Sequence, residues 1–213
     1  MAKTKDKIDM LAYEKEFMAK GYKLISGTDE VGRGPLAGPV CVASVIMPLD
    51  KEHIIEGIND SKKLSEKKRE ELYEKILQTA KYVKVSYVSE REIDEINILQ
   101  ATKKAMADSL CFPDIMPDIA LVDAVKNLDT PCEQMPIIKG DAKSYSIAAA
   151  SIVAKVERDR LMKKMAEKYP EYGFEQNKGY GTAAHIEALK KFGPCEIHRK
   201  TFLKFLGEEN NNV

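Results

Sequence analysis

Two adjacent acids, Asp29 and Glu30, stand between two apolar runs in GTDEVGRGPLAGPV (residues 27–40), and no other feature restricts the fold as much. Tyr22, Leu24 and Ile25 lead in, and Val40, Cys41, Val42, Ala43, Val45, Ile46 and Met47 lead out. Short apolar runs bounded by glycine and proline read as buried strands. A doubled negative charge is costly inside such a strand. The pair therefore belongs at a strand end, where α/β sheets meet their ligands.

The rest of the chain alternates. A short helix over about 10–20 precedes strands near 22–30 and 38–48. SEKKREELYEKILQTA carries a capping Ser65 and places Leu72, Ile76 and Leu77 at helical spacing. KYVKVSYVS alternates as a strand does, and a helix is expected over about 90–111. DIALVDA reads as a buried strand ending in Asp123, MPIIKGD as another ending in Asp141, and a long helix runs from about Ser144 to Tyr169. NKGYGTAAHIEALKKFGP is helical and loopy. No internal repeat is visible. The expectation is an α/β fold, a mixed β-sheet flanked by helices, with a helical C-terminal lobe. At 213 residues the chain suits one domain with a real core. Its expected division is an N-terminal tail and short helix (1–20), a core (21–170), a C-terminal helical region (171–207) and a tail (208–213). MAKTKDK and GEENNNV are polar enough to be disordered.

Lysines plus arginines number 34 and acids 34, so any nucleic-acid surface has to be a local patch. Candidate patches are Lys62, Lys63, Lys67, Lys68 and Arg69; Lys139, Lys143, Lys155, Arg158 and Arg160; and Lys190, Lys191, Arg199 and Lys200. Taken singly, most of these read as solvated helix faces. Cys41, Cys111, Cys132 and Cys195 show no paired spacing and read as reduced, mostly buried thiols of a cytoplasmic protein. A zinc site of His185, Cys195 and His198 has too few ligands and fits no common spacing. No apolar run reaches the roughly 18 residues of a membrane span, so no membrane partner is expected.

Asp29, Glu30, Asp123 and Asp141 share a position: each lies at the edge of an apolar strand. Singly, each has a plain explanation as a helix cap, a turn or a solvated corner. Together they favour a cluster, which would be forced to protonate without a compensating cation. Hard oxygen donors without cysteine or histidine favour magnesium or manganese over zinc. Two such ions roughly 3.5–4 Å apart can hold an attacking water and a leaving oxygen across a phosphodiester. Asp159 competes for the fourth place. On one helix, however, its 18-residue separation from Asp141 would span roughly 27 Å at about 1.5 Å per residue, so a salt bridge on the helix face is expected for it.

GTDEVGRGPLAGPV, INDSKKLS, LVDAV, KGDAKSYSIAAASIVAKVERDRLM and NKGYGTAAHIEAL, in that order over about residues 10–205, together resemble the bacterial ribonuclease HII family. The resemblance implies an RNase H-like fold and an endonuclease cutting the RNA strand of RNA–DNA hybrids. It also implies incision at single ribonucleotides in duplex DNA, leaving 3′-hydroxyl and 5′-phosphate ends. Asp29, Glu30, Asp123 and Asp141 fall on that family's acidic quartet. Gly32, Arg33 and Gly34 fall on its glycine-arginine-glycine motif, which approaches the ribose 2′-hydroxyl by backbone groups. Tyr180 falls on the tyrosine that packs at the RNA–DNA junction, and Asn59, Ser61 and Lys62 on a segment expected near the DNA-strand phosphates. Ala124 stands where many relatives carry glycine, a change expected to be harmless because the ligand is Asp123. Ribonuclease HIII is similar too, but its extra N-terminal domain is not expected in the some 20 residues before the first strand. A monomer is expected.

Two other readings have their own tests. A phosphate-handling ATPase or kinase would use the glycine-rich loop, but GRGPLAG lacks the lysine-serine ending of a P-loop. A non-enzymatic nucleic-acid module would keep the acids as structural features, and a metal-dependent cleavage assay separates it from a nuclease.

Overall fold

The structure, a computed structural model, describes residues 9–205. MAKTKDK and GEENNNV, the expected loose ends, lie outside the described residues. In chain order the elements are α1 (Ala12–Ala19), β1 (Ile25–Val31), β2 (Val40–Ile46), α2 (Glu66–Thr79), β3 (Tyr82–Val88), α3 (Glu90–Ile96), α4 (Ile98–Leu110), β4 (Ile119–Asp123), β5 (Glu133–Ile137), α5 (Tyr145–Lys168), α6 (Phe174–Asn177) and α7 (Ala183–Phe192). The strands form one mixed sheet in the order β3-β2-β1-β4-β5. β1 pairs antiparallel with β2 and parallel with β4, so it is the hinge between the hairpin half and the crossover half.

Residues of β2 alternate between two cores, as the period of a strand requires. Cys41, Ala43 and Val45 pack with Leu72 and Ile76 of α2 and Ala149 and Val153 of α5. Val40 and Val42 pack on the other face with Ala101, Ala105 and Met106 of α4. Helix α5 lies directly on β1: a Cβ on Gly27 would stand 2.0 Å from the carbonyl carbon of Ser146, so only glycine admits this approach. The start of α5 is held by Ser144, which caps Ile147 N–H, and by the buried Glu14 of α1. Glu14 accepts from the Ser144 hydroxyl at 2.6 Å and from the Ser146 amide at 2.9 Å. A further cluster joins Ala37 and Met162 to Tyr172, Phe174, Leu189 and Leu203, and carries the helical C-terminal region on the end of α5.

The expected architecture holds, with four local differences. The helix expected over 90–111 is two helices, broken at Asn97, whose φ of 66° ends α3 while its side chain caps Leu99 and Gln100 of α4. Asparagine takes a positive φ more readily than most non-glycine residues, and its two capping bonds hold it there. Of the apolar residues in α2, Leu72 and Ile76 are buried but Leu77 is exposed. β5 ends at Ile137, and Asp141 sits beyond it in a single 3-10 turn over Gly140–Ala142. Cys41 and Cys132 are buried, whereas Cys111 is exposed. Among the described residues no helix is long and apolar enough to cross a membrane.

Candidate active site

The β1–β4 register builds the acidic corner. Thr28 lies beside Val122, so the next residues along two parallel strands, Asp29 and Asp123, emerge side by side. Asp29, Glu30 and Asp123 offer carboxylate oxygens that all lie within 4.8 Å of one another. At that separation each charged pair costs on the order of 3 kcal/mol for an effective dielectric of about 20. Protein donors answer this only in part. Asp29 accepts from Glu30 N–H at 2.8 Å, Asp123 from Gly140 N–H at 2.7 Å, and Glu30 Oε1 from Arg33 at 3.3 Å. Glu30 Oε2 is buried and has no hydrogen-bond partner among the described residues.

Titration reflects the imbalance. Burial, then Glu30 and Asp123, drive Asp29 well above the usual carboxylate range, eased by the Ser151 hydroxyl and the Glu30 amide. Burial pushes Glu30 up to about 7; Arg33 opposes the shift and Asp123 adds to it. An orphaned carboxylate oxygen within an all-oxygen donor set fits a hard divalent cation. Asp141 lies beside this trio and is not one of the three mutually close acids. Its carboxyl is raised by burial, by Asp60 and by Asp123, and lowered by Lys62.

Asp60 was not singled out by sequence, although it lies within INDSKKLS. It caps the 3-10 turn at Ser61–Lys63 by accepting from Lys62 N–H. Burial opposes the charge of Lys62, but Asp141, Asp29, Asp60 and Asp123 outweigh it and hold its pKa above the ordinary lysine value. Asn59 is exposed and accepts from Asp60 N–H at 2.8 Å. Ser61 is buried, its hydroxyl 2.8 Å from that of Ser151, which also meets Asp29. The segment thus reaches the acids through Ser61 and faces solvent through Asn59 and Lys62. Asp159 pairs with Lys155 at 2.7 Å, on the helix face as expected.

Beyond Val31 the chain turns through the glycine-arginine-glycine motif and passes straight into β2, with no helix to cradle a nucleotide's phosphates. Gly32 has φ +93°, and a Cβ there would meet Arg158 Nε at 2.2 Å. Arg158 and Arg199, read from sequence as members of surface basic patches, are instead completely buried. Arg158 donates to the carbonyls of Pro39, Lys178 and Ala37 at 2.9–3.0 Å. Arg199 donates to Gly38, Arg33 and Gly32 carbonyls at 2.6–2.9 Å. With its carbonyls bound from behind, the loop has amides to spare: Arg33 N–H and Gly34 N–H donate to no acceptor among the described residues. Neighbouring Arg160 and Lys200 are not buried, so nothing in the local pattern distinguishes the inward arginines.

Tyr180 stands over this loop. A Cβ on Gly34 would lie 3.8 Å from its Cε1, and Leu36 N–H donates to Gly179 O at 2.8 Å. Tyr180 is 41% exposed, so it is a surface group rather than part of the core. His185, His198 and Cys195 do come together, but as a hydrogen-bonded chain. Their donor atoms do not converge as zinc ligands; the acid trio is the group that does so among the described residues.

A family model described as Ribonuclease HII matches residues 26–205. Ribonuclease HII of Acetivibrio thermocellus is 56% identical over 197 residues, covering 92% of this chain and 76% of that protein. Ribonuclease HII of Bacillus cereus is 56% identical over 201 residues, covering 94% and 77%. Among solved structures, the ribonuclease H2 of Pyrococcus horikoshii superposes with a TM-score of 0.74 at 28% identity, covering 90% of this chain and all of that one.

Proposed function

Since the chain belongs to the ribonuclease HII family and is a ribonuclease H, a hydrolase, we propose that it cuts the RNA strand of RNA–DNA hybrids and incises duplex DNA at single ribonucleotides. The observation that carries this reading is one juxtaposition. A carboxylate trio, Asp29 buried and Glu30 and Asp123 half-buried, with one orphaned oxygen lies one turn of chain from a loop with two unpaired amides and an exposed tyrosine ring.

Asp29, Glu30, Asp123 and Asp141 would hold the divalent cations, magnesium or manganese, two per site. Such ions, when bound, lower the pKa of a water and stabilise the charge on attacking and leaving oxygens. The chain supplies the rest. The backbone of Gly32, Arg33 and Gly34 meets the ribose 2′-hydroxyl, the group that distinguishes RNA from DNA. Tyr180 packs on the deoxyribose that follows the ribonucleotide. Asn59 and Lys62 meet the DNA-strand phosphates, which position the duplex without reading sequence; Ser61, its hydroxyl engaged within the protein, braces that segment. Hydrolysis breaks the bond from phosphorus to the 3′-oxygen, leaving a 3′-hydroxyl and a 5′-phosphate. In this reading residues 21–170 form the catalytic core and 171–207 the substrate-binding region of a cytoplasmic monomer.

Cleavage of labelled duplexes tests the proposal. With magnesium or manganese, an RNA–DNA hybrid and a duplex containing one ribonucleotide should both be cut, an all-DNA duplex should not, and EDTA should stop the reaction. Cleavage of the all-DNA duplex, or cleavage that survives EDTA, would overturn it.

A further inference from the structure

The nuclease reading leaves a buried group of polar side chains unused. His185 and His198 are both buried and face each other, Nε2 to Nε2, at 3.0 Å. At one end His185 Nδ1 lies 2.9 Å from the carbonyl oxygen of Tyr180. At the other, His198 Nδ1 lies 2.9 Å from Cys195 N and 3.2 Å from Cys195 Sγ.

Elementary donor and acceptor rules fix every proton in this chain. A carbonyl only accepts, so His185 carries its hydrogen on Nδ1. An amide N–H only donates, so His198 Nδ1 is bare. With both rings neutral, the His198 hydrogen sits on Nε2 and points at the bare Nε2 of His185. One tautomer pair satisfies all the bonds, and a proton added to either ring would set N–H against N–H. Burial acts in the same sense, lowering His185 and bringing His198 down to about 4, where the neighbouring His185 contributes as well. The two rings are walled by Phe174, 5.3 Å from His185, and Tyr172, 4.9 Å from His198.

The chain of bonds ends on the residue proposed to sense the junction. Tyr180 N–H donates to Asn177 O at 2.8 Å, and its carbonyl accepts from Thr182 N–H at 2.8 Å as well as from His185. Its backbone is thus held on both sides while its ring stays exposed beside Gly34. We propose that His185 and His198 are positioning residues: their ordered relay from Cys195 fixes the Tyr180 backbone, and so sets how strongly the enzyme prefers a ribonucleotide–deoxyribonucleotide junction over a continuous RNA run. This inference rests on the junction-sensing reading of Tyr180 given above.

The test compares two amides. The asparagine amide nitrogen falls where histidine Nδ1 does, and that of glutamine where Nε2 does. His185→Asn therefore keeps the donor to Tyr180, and His185→Gln loses it. The readout is the ratio of kcat/KM on a single-ribonucleotide duplex to that on a hybrid with a long RNA run. His185→Gln should lower this ratio about fivefold, the worth of one hydrogen bond, and His185→Asn, which keeps the donor to Tyr180 but loses the link to His198, should lower it by no more than about twofold. If His185→Gln does not fold, His198→Gln, which keeps the Nε2 donor, should preserve the ratio, and His198→Asn should lower it. Nitrogen-15 NMR of the wild-type imidazoles should show His185 protonated at Nδ1 and His198 at Nε2; any other pattern overturns the relay. A folded His185→Gln with an unchanged ratio, in an enzyme whose Tyr180→Ala variant loses it, overturns the positioning role. An unchanged ratio in Tyr180→Ala instead overturns the junction reading itself, which keeps the two failures apart.

Discussion

Behind and in front of one short loop, this protein buries charge of opposite sign, and the two regions are completed to different degrees. Behind the loop, Arg158 and Arg199 are wholly enclosed, yet three hydrogen bonds from the first and four from the second end on carbonyl oxygens. In front, three carboxylates crowd within 4.8 Å of one another, and Glu30 Oε2 has no partner among the described residues. Burial and mutual repulsion raise Asp29, and burial raises Glu30. Around this loop the protein satisfies its buried cations from its own backbone and leaves its crowded acid trio only partly satisfied. The comparison separates scaffold from site: the completed region holds the loop still, and the incomplete one keeps capacity for a ligand.

The largest effect should come from breaking the completed side. Arg158→Met removes three donors and orphans the carbonyls of Pro39, Lys178 and Ala37. At about 1–3 kcal/mol for each buried group left unpaired, and with the Lys178 carbonyl only part-buried, the loss should be at least about 2 kcal/mol. Urea unfolding measures it, and a loss below about 1 kcal/mol would mean the guanidinium is not what holds the loop.

Asp123→Asn makes the opposite intervention. It removes a charge from a crowded set but keeps an oxygen to accept from Gly140 N–H. Turnover should fall by about 10²–10³-fold, the scale on which losing one preorganised electrostatic group slows an enzyme. Metal-free stability should stay level or rise, because a repulsive charge is gone. Equal losses of stability in Asp123→Asn and Arg158→Met would erase the distinction between the two regions.

How much of this was legible follows the same division. Asp29, Glu30 and Asp123 could be placed from sequence because each interrupts or ends an apolar strand, and a strand's direction fixes where its last residue emerges. Asp141 was placed nearly right: its strand stops at Ile137, and a 3-10 turn delivers it. The loop motif and Tyr180 were found by resemblance, and their adjacency needed the structure. The burial of Arg158 and Arg199 is not legible, because KVERDR and HRK are as polar as any solvated face, and a guanidinium satisfied by distant carbonyls leaves no periodic trace. Asn97 could have been read: a lone asparagine before an apolar run is a helix-capping signal, and here it ends one helix and starts the next. The role of His185 and His198 is not legible either, because spacing shows which residues are near, not which atoms carry hydrogens.

The acid corner also makes a prediction about pH. Glu30 moves from an ordinary 4.5 to about 7 in the folded protein. Between those values the folded state keeps a proton that the unfolded chain has lost, so this group's contribution to metal-free stability declines as pH rises through that window. A divalent cation needs the deprotonated form, so its stabilisation should grow over the same range. The rise in Tm on adding magnesium should be larger at pH 8 than at pH 5, by a few degrees at about 2–4 °C per kcal/mol for a chain of this size. The same rise at both values would show that the carboxylates are already charged without metal.

The smallest expected effect tests whether the acid corner is incomplete in its backbone as well as its charge. Ala124, directly after Asp123, has φ 51°, the left-handed region, in a tight turn where Val125 N–H donates to Asp123 O at 2.6 Å. That conformation costs a residue with a Cβ about 1–2 kcal/mol, and the Ala124 methyl, exposed to solvent, returns no packing. Glycine would relieve the strain but lose about 0.5–1 kcal/mol through the greater freedom of the unfolded chain. The difference predicts that Ala124→Gly stabilises the protein by about 0.5–1 kcal/mol, read as a higher urea midpoint. Turnover should not change, because Asp123 is held by β4 and by its place beside Ile137 of β5 rather than by the turn after it. Greater stability with slower turnover would instead mean that the strained turn sets the Asp123 carboxylate, and the incomplete region would then extend from side chains into the main chain.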